Sequence, residues 1–175
     1  MAKSYTKALT LAKALKKTML DPSTIKYDSG DGVYYQNIEG YPSLMIEYTD
    51  DPDLDHYSAT HTGQIGVLYV PIPKKYMKPS LIVKINKGNF EYIPTLLIHE
   101  ATHLVEKHNE GAGRDSDPIR WLKDPQEMEA VHNEWIYAQK HHTLFQYDED
   151  SDEYKTIMRD EMMKNGYTDV PYQDL

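Results

Sequence analysis

Apolar side chains recur at three- and four-residue steps near the start of the chain: Tyr5, Ala8, Leu9, Ala12, Leu15 and Met19. This is the stripe of an amphipathic helix, and Asp21-Pro22 predicts where it stops. The period then changes. Short runs rich in β-branched and aromatic residues cover Val33 to Ile38, Leu44 to Tyr48, His56 to His61, Ile65 to Val70 and Leu81 to Ile85. Gly30-Asp31-Gly32 and Asp50-Asp51-Pro52 supply turns, and Thr62-Gly63-Gln64 reads as a hairpin turn. Pro71, Pro73 and Pro79 mark a loop before the last run. These signals predict a small, mostly antiparallel sheet of four or five strands.

The helical period returns between Phe90 and Lys107, where Leu96, Leu97, Ile98, Ala101, Leu104 and Val105 describe a deeply buried helix. Pro94 is tolerated there if it lies in the first turn. A polar, glycine-rich loop runs from His108 to Asp117. Asp124-Pro125 opens another helix, with Asp at the N-cap, Pro at the first helical position and Glu127 placed to close a capping box. Met128, Val131, Trp135 and Ala138 form its stripe. A last helix is expected from about Ser151 to Lys164, ended by Asn165-Gly166. The fold class is therefore α+β: helix, sheet, then three helices.

A chain of 175 residues predicts one domain. Its parts are a helix and sheet over 1–89, the helices carrying candidate chemistry over 90–142, and an acidic helix and tail over 143–175. There is no cysteine, which removes disulfides, thiolate nucleophiles and cysteine-based metal sites. The lysine-studded start lacks the apolar core of a signal peptide, and no run is long enough to span a bilayer, so a cytoplasmic protein with no membrane partner is expected. The net charge of −9 argues against a nucleic-acid partner, whose phosphates call for clustered lysine and arginine. From Thr143 onward nine acidic side chains face only Lys155, Arg159 and Lys164.

The candidate chemistry lies in His99-Glu100-Ala101-Thr102-His103, an HExxH pattern inside an apolar helix. Positions four apart share a helix face, so two imidazoles can meet one metal ion, with Glu100 beside the open position. Zinc lowers the pKa of its bound water, and Glu100 takes the proton as a carbonyl is attacked. The pattern alone arises by chance often enough to be only suggestive. Its setting adds weight, because burying these groups is costly without a partner, and a metal is one. The competing reading is a hydrogen-bonded structural cluster.

A catalytic zinc needs a third protein ligand. Glu106 and Asn109 stand where a metzincin has Gly and His, which excludes that class. The second helix offers Glu127 and Glu129. HExxH followed by a helix bearing Glu-Ala resembles the gluzincin metallopeptidases of the thermolysin-like clan, most of all their small members, some of them phage-encoded. The likeness rests on two motifs between Ile93 and Trp135. It implies one zinc ion, peptide-bond hydrolysis, and a protein or peptide substrate. It also implies a glutamate ligand next to a small alanine and an Asp or Asn four residues later that orients a zinc histidine. Glu129-Ala130 with Asn133 fits that frame. A related frame places the ligand at Glu127, with Val131 then at the Asp/Asn position. Glu129 is favoured and Glu127 is the alternate; against this order, helix angles place Glu127 nearer the apolar stripe.

Other histidines carry weaker signals. His132 or His108 would replace the glutamate in an arrangement like that of SprT-like proteases, which act on DNA-bound proteins. His141-His142 reads as a polar helix end, and His56 and His61 as surface residues. Tyr154 and His132 are candidates for stabilising an oxyanion. In the gluzincin family a strand bordering the cleft pairs with the extended substrate, and Leu81 to Ile85 is either that strand or an ordinary strand of the sheet. Two rival functions remain: a zinc-holding binding or inhibitory protein without turnover, and a self-processing enzyme whose acidic tail occupies its own cleft.

Overall fold

The first helix, α1 (Tyr5–Met19), buries Tyr5, Ala8, Leu11, Ala12, Leu15 and Met19, so the stripe read from the sequence is its inner face except that Leu11 is buried and Leu9 only half-buried. The computed structural model describes residues 4–28, 32–88, 93–108 and 117–175. Five strands follow α1: β1 (Ile25–Asp28), β2 (Val33–Ile38), β3 (Tyr41–Thr49), β4 (Ser58–Thr62) and β5 (Ile65–Pro71). They form one sheet in the order β1-β2-β3-β5-β4. Every neighbouring pair is antiparallel except β3 and β5, which run parallel with Leu44 opposite Gly66. The β4–β5 hairpin turns where the sequence places it, and Gly63 takes the positive φ of 57° that such a turn requires. β1 was not expected; it is a four-residue strand that exists through its pairing with β2. The run expected over His56 to His61 is strand only from Ser58.

The segment Leu81 to Ile85 is not a strand. It lies within a helix, α2 (Pro79–Gly88), whose buried residues Ile82, Val83 and Asn86 stand at helical spacing. The β-branched side chains there argued for a strand, but packing outweighs that preference. Pro79 occupies the helix start, where its missing N–H costs nothing. Asn86 Nδ2 donates to Met19 O at 3.0 Å, and Gln36 Nε2 donates to Thr18 O at 2.7 Å. Two side chains from α2 and β2 thus take up carbonyls at the end of α1, which anchors the helix against the sheet.

The remaining helices are α3 (Ile93–Val105), α4 (Pro118–Leu122), α5 (Pro125–His141) and α6 (Asp152–Lys164). Residues 89–92 and 109–116, which include the start expected for α3 and most of the glycine-rich loop, lie outside the described residues. So do Gly30 and Asp31 of the first expected turn. Two apolar clusters form. One unites α1, the sheet and the inner face of α3 through residues such as Leu11, Ile46, Leu68, Leu97 and Ala101. The other unites α4, α5, α6 and the tail through Trp121, Met128, Val131, Met158 and Val170. Among the described residues, no helix is long and apolar enough to cross a membrane.

Candidate metal centre

Helix α3 is buried on two sides. Leu97, Ile98, Ala101 and Leu104 belong to the cluster beneath the sheet. His99 and His103, four residues apart, are also buried, at 7% and 6% exposure. Their spacing places both imidazoles on one face, toward α5. Helix α5 begins at Asp124, whose side chain accepts from Gln126 N at 2.9 Å, with Pro125 at the first position. This start is the one the sequence predicts. Its third helical residue, Glu127, does not close a capping box but carries its carboxylate to the two histidines.

The three side chains converge, each histidine against its own oxygen of the Glu127 carboxylate. His99 Nε2 lies 3.1 Å from Glu127 Oε2, and His103 Nε2 lies 3.1 Å from Glu127 Oε1. The two Nε2 atoms are 3.2 Å apart. A tetrahedral zinc ion with bonds of about 2.0–2.1 Å holds its ligand atoms about 3.3 Å apart. The two Nε2 atoms have a separation close to that value, a carboxylate oxygen of Glu127 lies within 4.8 Å of both, and His99, His103 and Glu127 form a group that could hold such an ion. Glu100 is half-buried beside them.

The charges are mutually dependent. Burial, the largest influence on His99, lowers its pKa, but Glu134 and hydrogen bonds to Glu127 and Glu134 push it well above the usual histidine value. Burial raises the Glu127 carboxyl, yet hydrogen bonds from His103 and His99 hold it well below the usual carboxylate range. Burial raises Glu100, opposed by the charges of His99 and His103. His56 also exerts a charge on Glu100 from the segment before β4, although its side chain is 67% exposed.

Both histidine rings are held from behind. His99 Nδ1 lies 2.7 Å from Glu134 Oε2. Glu134 is fully buried, and its carboxylate also accepts from Gln146 Nε2 at 2.7 Å and from the Tyr147 hydroxyl at 3.0 Å. His103 Nδ1 lies 3.0 Å from His108 Nδ1. If both Nε2 atoms face a metal, His99 donates its Nδ1 proton to Glu134 and His103 donates to an unprotonated His108 Nδ1. His108 is itself tied at both ends of its peptide: its N–H donates to His103 O at 2.8 Å, and its carbonyl accepts from His61 N at 3.3 Å. Trp121 lies parallel to the His99 ring, with a 3° interplanar angle and 6.2 Å between centroids.

Glu134 and His108 were assigned no such role from the sequence. Glu134 follows Glu127 by seven residues, two helical turns, so both project from one stripe of α5. That signal also separates the two candidate ligands, since Glu129 lies about 200° round the helix from Glu127.

The favoured assignment of Glu129 as third ligand does not match the arrangement. Glu129 Oε1 accepts from Ser4 Oγ at 2.6 Å, and the alternate, Glu127, stands with the histidines. Asn133 does not reach a candidate ligand histidine either. Its Nδ2 donates to Ser4 Oγ at 3.0 Å and to Thr102 Oγ1 at 2.9 Å. Glu129 and Asn133 share a face of α5, and that face meets Ser4 and, through Asn133, Thr102 of α3 rather than the three candidate ligands. His132 is buried on the far side, with Nε2 2.6 Å from Asp169 O and its ring stacked on Tyr167. Tyr154 is buried in the second cluster. His141 and His142 end α5 as expected, His142 with a positive φ of 51°. His56 is exposed, as expected, whereas His61 is half-buried in β4.

Comparisons with family profiles, curated proteins and solved structures give no match.

Proposed function

We propose that this chain is a zinc-dependent metallopeptidase of gluzincin type, with one zinc ion on His99, His103 and Glu127 and with Glu100 as general base. The observation that carries the reading is the convergence of two Nε2 atoms, 3.2 Å apart, on the Glu127 carboxylate, each 3.1 Å from one of its two oxygens, with Glu100 close enough to feel all three charges. When bound, zinc supplies a Lewis acid that polarises a carbonyl and acidifies water. A carboxylate oxygen of Glu100 accepts a proton from the attacking water and returns it to the departing amine. Glu134 holds His99 in one tautomer and orientation, and His108 does the same for His103. Glu127 balances charge between the two imidazoles.

With Leu81 to Ile85 in a helix, strand pairing with substrate falls to β4. Of the sheet's two edge strands, β1 and β4, it is the one that packs against α3. His61 N–H on that edge already donates to His108 O, so an extended peptide would exchange main-chain hydrogen bonds with the part of β4 before His61. The tail packs through Val170 into the cluster formed with α5 and α6, which speaks against a tail lodged in its own cleft.

The test is a peptide-library digest by zinc-loaded protein, read by mass spectrometry. Cleavage should stop with a chelator and return with added zinc. No product from fully loaded protein would leave the group as a binding or structural site.

A further inference from the structure

An open cavity of about 520 Å³ lies between the first turns of α1, the β2–β3 turn and the last turn of α3. It shares no residue with His99, Glu100, His103 or Glu127. Its volume lies in the range of small-molecule sites.

The floor is apolar and is built around a missing side chain. Leu44, Leu104 and His61 converge over Gly66, where a Cβ would fall 2.2 Å from Leu44 Cδ2 and 2.9 Å from Leu104 Cδ2. His61 Cδ2 would be 3.3 Å away. Gly66 is thus the position that lets two leucines and a histidine meet, and Tyr41 extends the apolar surface. The rim has the opposite character. Lys7 of α1 and Lys107 beyond α3 both line the cavity, and no carboxylate stands among its described lining residues. This occurs on a chain whose net charge is −9. The overall field repels anions, so two lysines at an apolar opening form a local exception to it.

We propose that this cavity binds a small amphiphilic anion, an apolar chain with one anionic head, its chain over Leu44, Leu104 and Tyr41 and its head between Lys7 and Lys107. A neutral apolar molecule would leave the lysines unused, and a small polar anion would leave the floor wet. The site is independent of the metal reading.

The probe is dodecanoate, below its micelle concentration, titrated by calorimetry into the full chain, with dodecanol and butyrate as comparisons. Dodecanoate should saturate at one per chain, and butyrate should give no measurable binding. The Lys7→Gln/Lys107→Gln pair, at two exposed positions, should weaken dodecanoate by about tenfold or more while changing dodecanol little. Ser43→Trp, at an exposed lining position, should block the cavity and abolish binding of both. Dodecanoate binding that ignores the lysine substitutions would place the carboxylate elsewhere, on a metal for instance, and overturn the proposal. So would sedimentation showing that Ser43→Trp dissociates a dimer that itself excludes dodecanoate, since a second copy would then be the occupant.

Discussion

His99 Nδ1 and Glu134 Oε2 stand 2.7 Å apart, and the carboxylate that holds the ring is fully buried. Its other contacts, Gln146 and Tyr147, come from the turn after α5, so one carboxylate links the HExxH helix to the next layer of the fold. Glu134→Gln keeps the shape but supplies at most one acceptor oxygen for these donors. Zinc affinity should fall by about 10- to 100-fold, the usual effect of removing a partner behind a ligand histidine. Competition against a chromophoric chelator measures this. Unchanged affinity would show that Glu134 is only a packing residue.

Glu127 and Glu129 can be separated in the same assay. Glu127→Ala should abolish stoichiometric zinc binding. Glu129→Ala removes a hydrogen bond from Ser4 and should cost about 1–2 kcal/mol of stability with zinc retained. Denaturant midpoints and zinc content, measured together on both variants, decide it. Zinc lost from Glu129→Ala and kept by Glu127→Ala would restore the assignment favoured on the sequence.

His132 gives a pH dependence that owes nothing to a metal. Burial lowers its pKa, partly offset by the hydrogen bond to Asp169 O. The folded value lies below the unfolded one, so the unfolded chain takes up the proton first as pH falls. The stability tied to neutral His132 is complete above about pH 6.5 and is lost as pH falls below it toward the lowered folded value. His132→Phe should be less stable at neutral pH, because the Asp169 contact is gone. It should also lose less further stability than wild type between about pH 7 and about pH 5. Urea midpoints at both ends measure the difference, and equal losses would mean that His132 titrates normally in the fold.

Much of the fold was legible because its signals are local. The α1 stripe, the Gly63 turn, the Asp124-Pro125 start and the Ser151 cap each depend on residues a few positions apart. The misreading of Leu81 to Ile85 came from the same source: Ile82 and Val83 prefer strands, and only their burial with Asn86 makes them helical. At the metal group, the HExxH spacing placed His99 and His103 together without any knowledge of tertiary structure. The third position was harder, since Glu127 and Glu129 are equally near in sequence and differ in which neighbour their face of α5 meets. Ser4, which occupies Glu129, is 125 residues away. His108 was hidden in another way, because its role depends on the chain turning back after α3 so that its ring meets His103.

Replacing Glu100 with glutamine tests the catalytic claim most directly. Glu100 stands beside the three candidate ligands without belonging to the group that could hold an ion. Glu100→Gln preserves size and hydrogen bonding but cannot accept a proton from water. Cleavage of a peptide that the wild type hydrolyses should be followed at matched zinc content. The rate should fall by about 100-fold or more, with zinc stoichiometry and melting temperature close to wild type. Cleavage by Glu100→Gln at the wild-type rate would contradict the assignment of Glu100 as the base, and with it the peptidase mechanism.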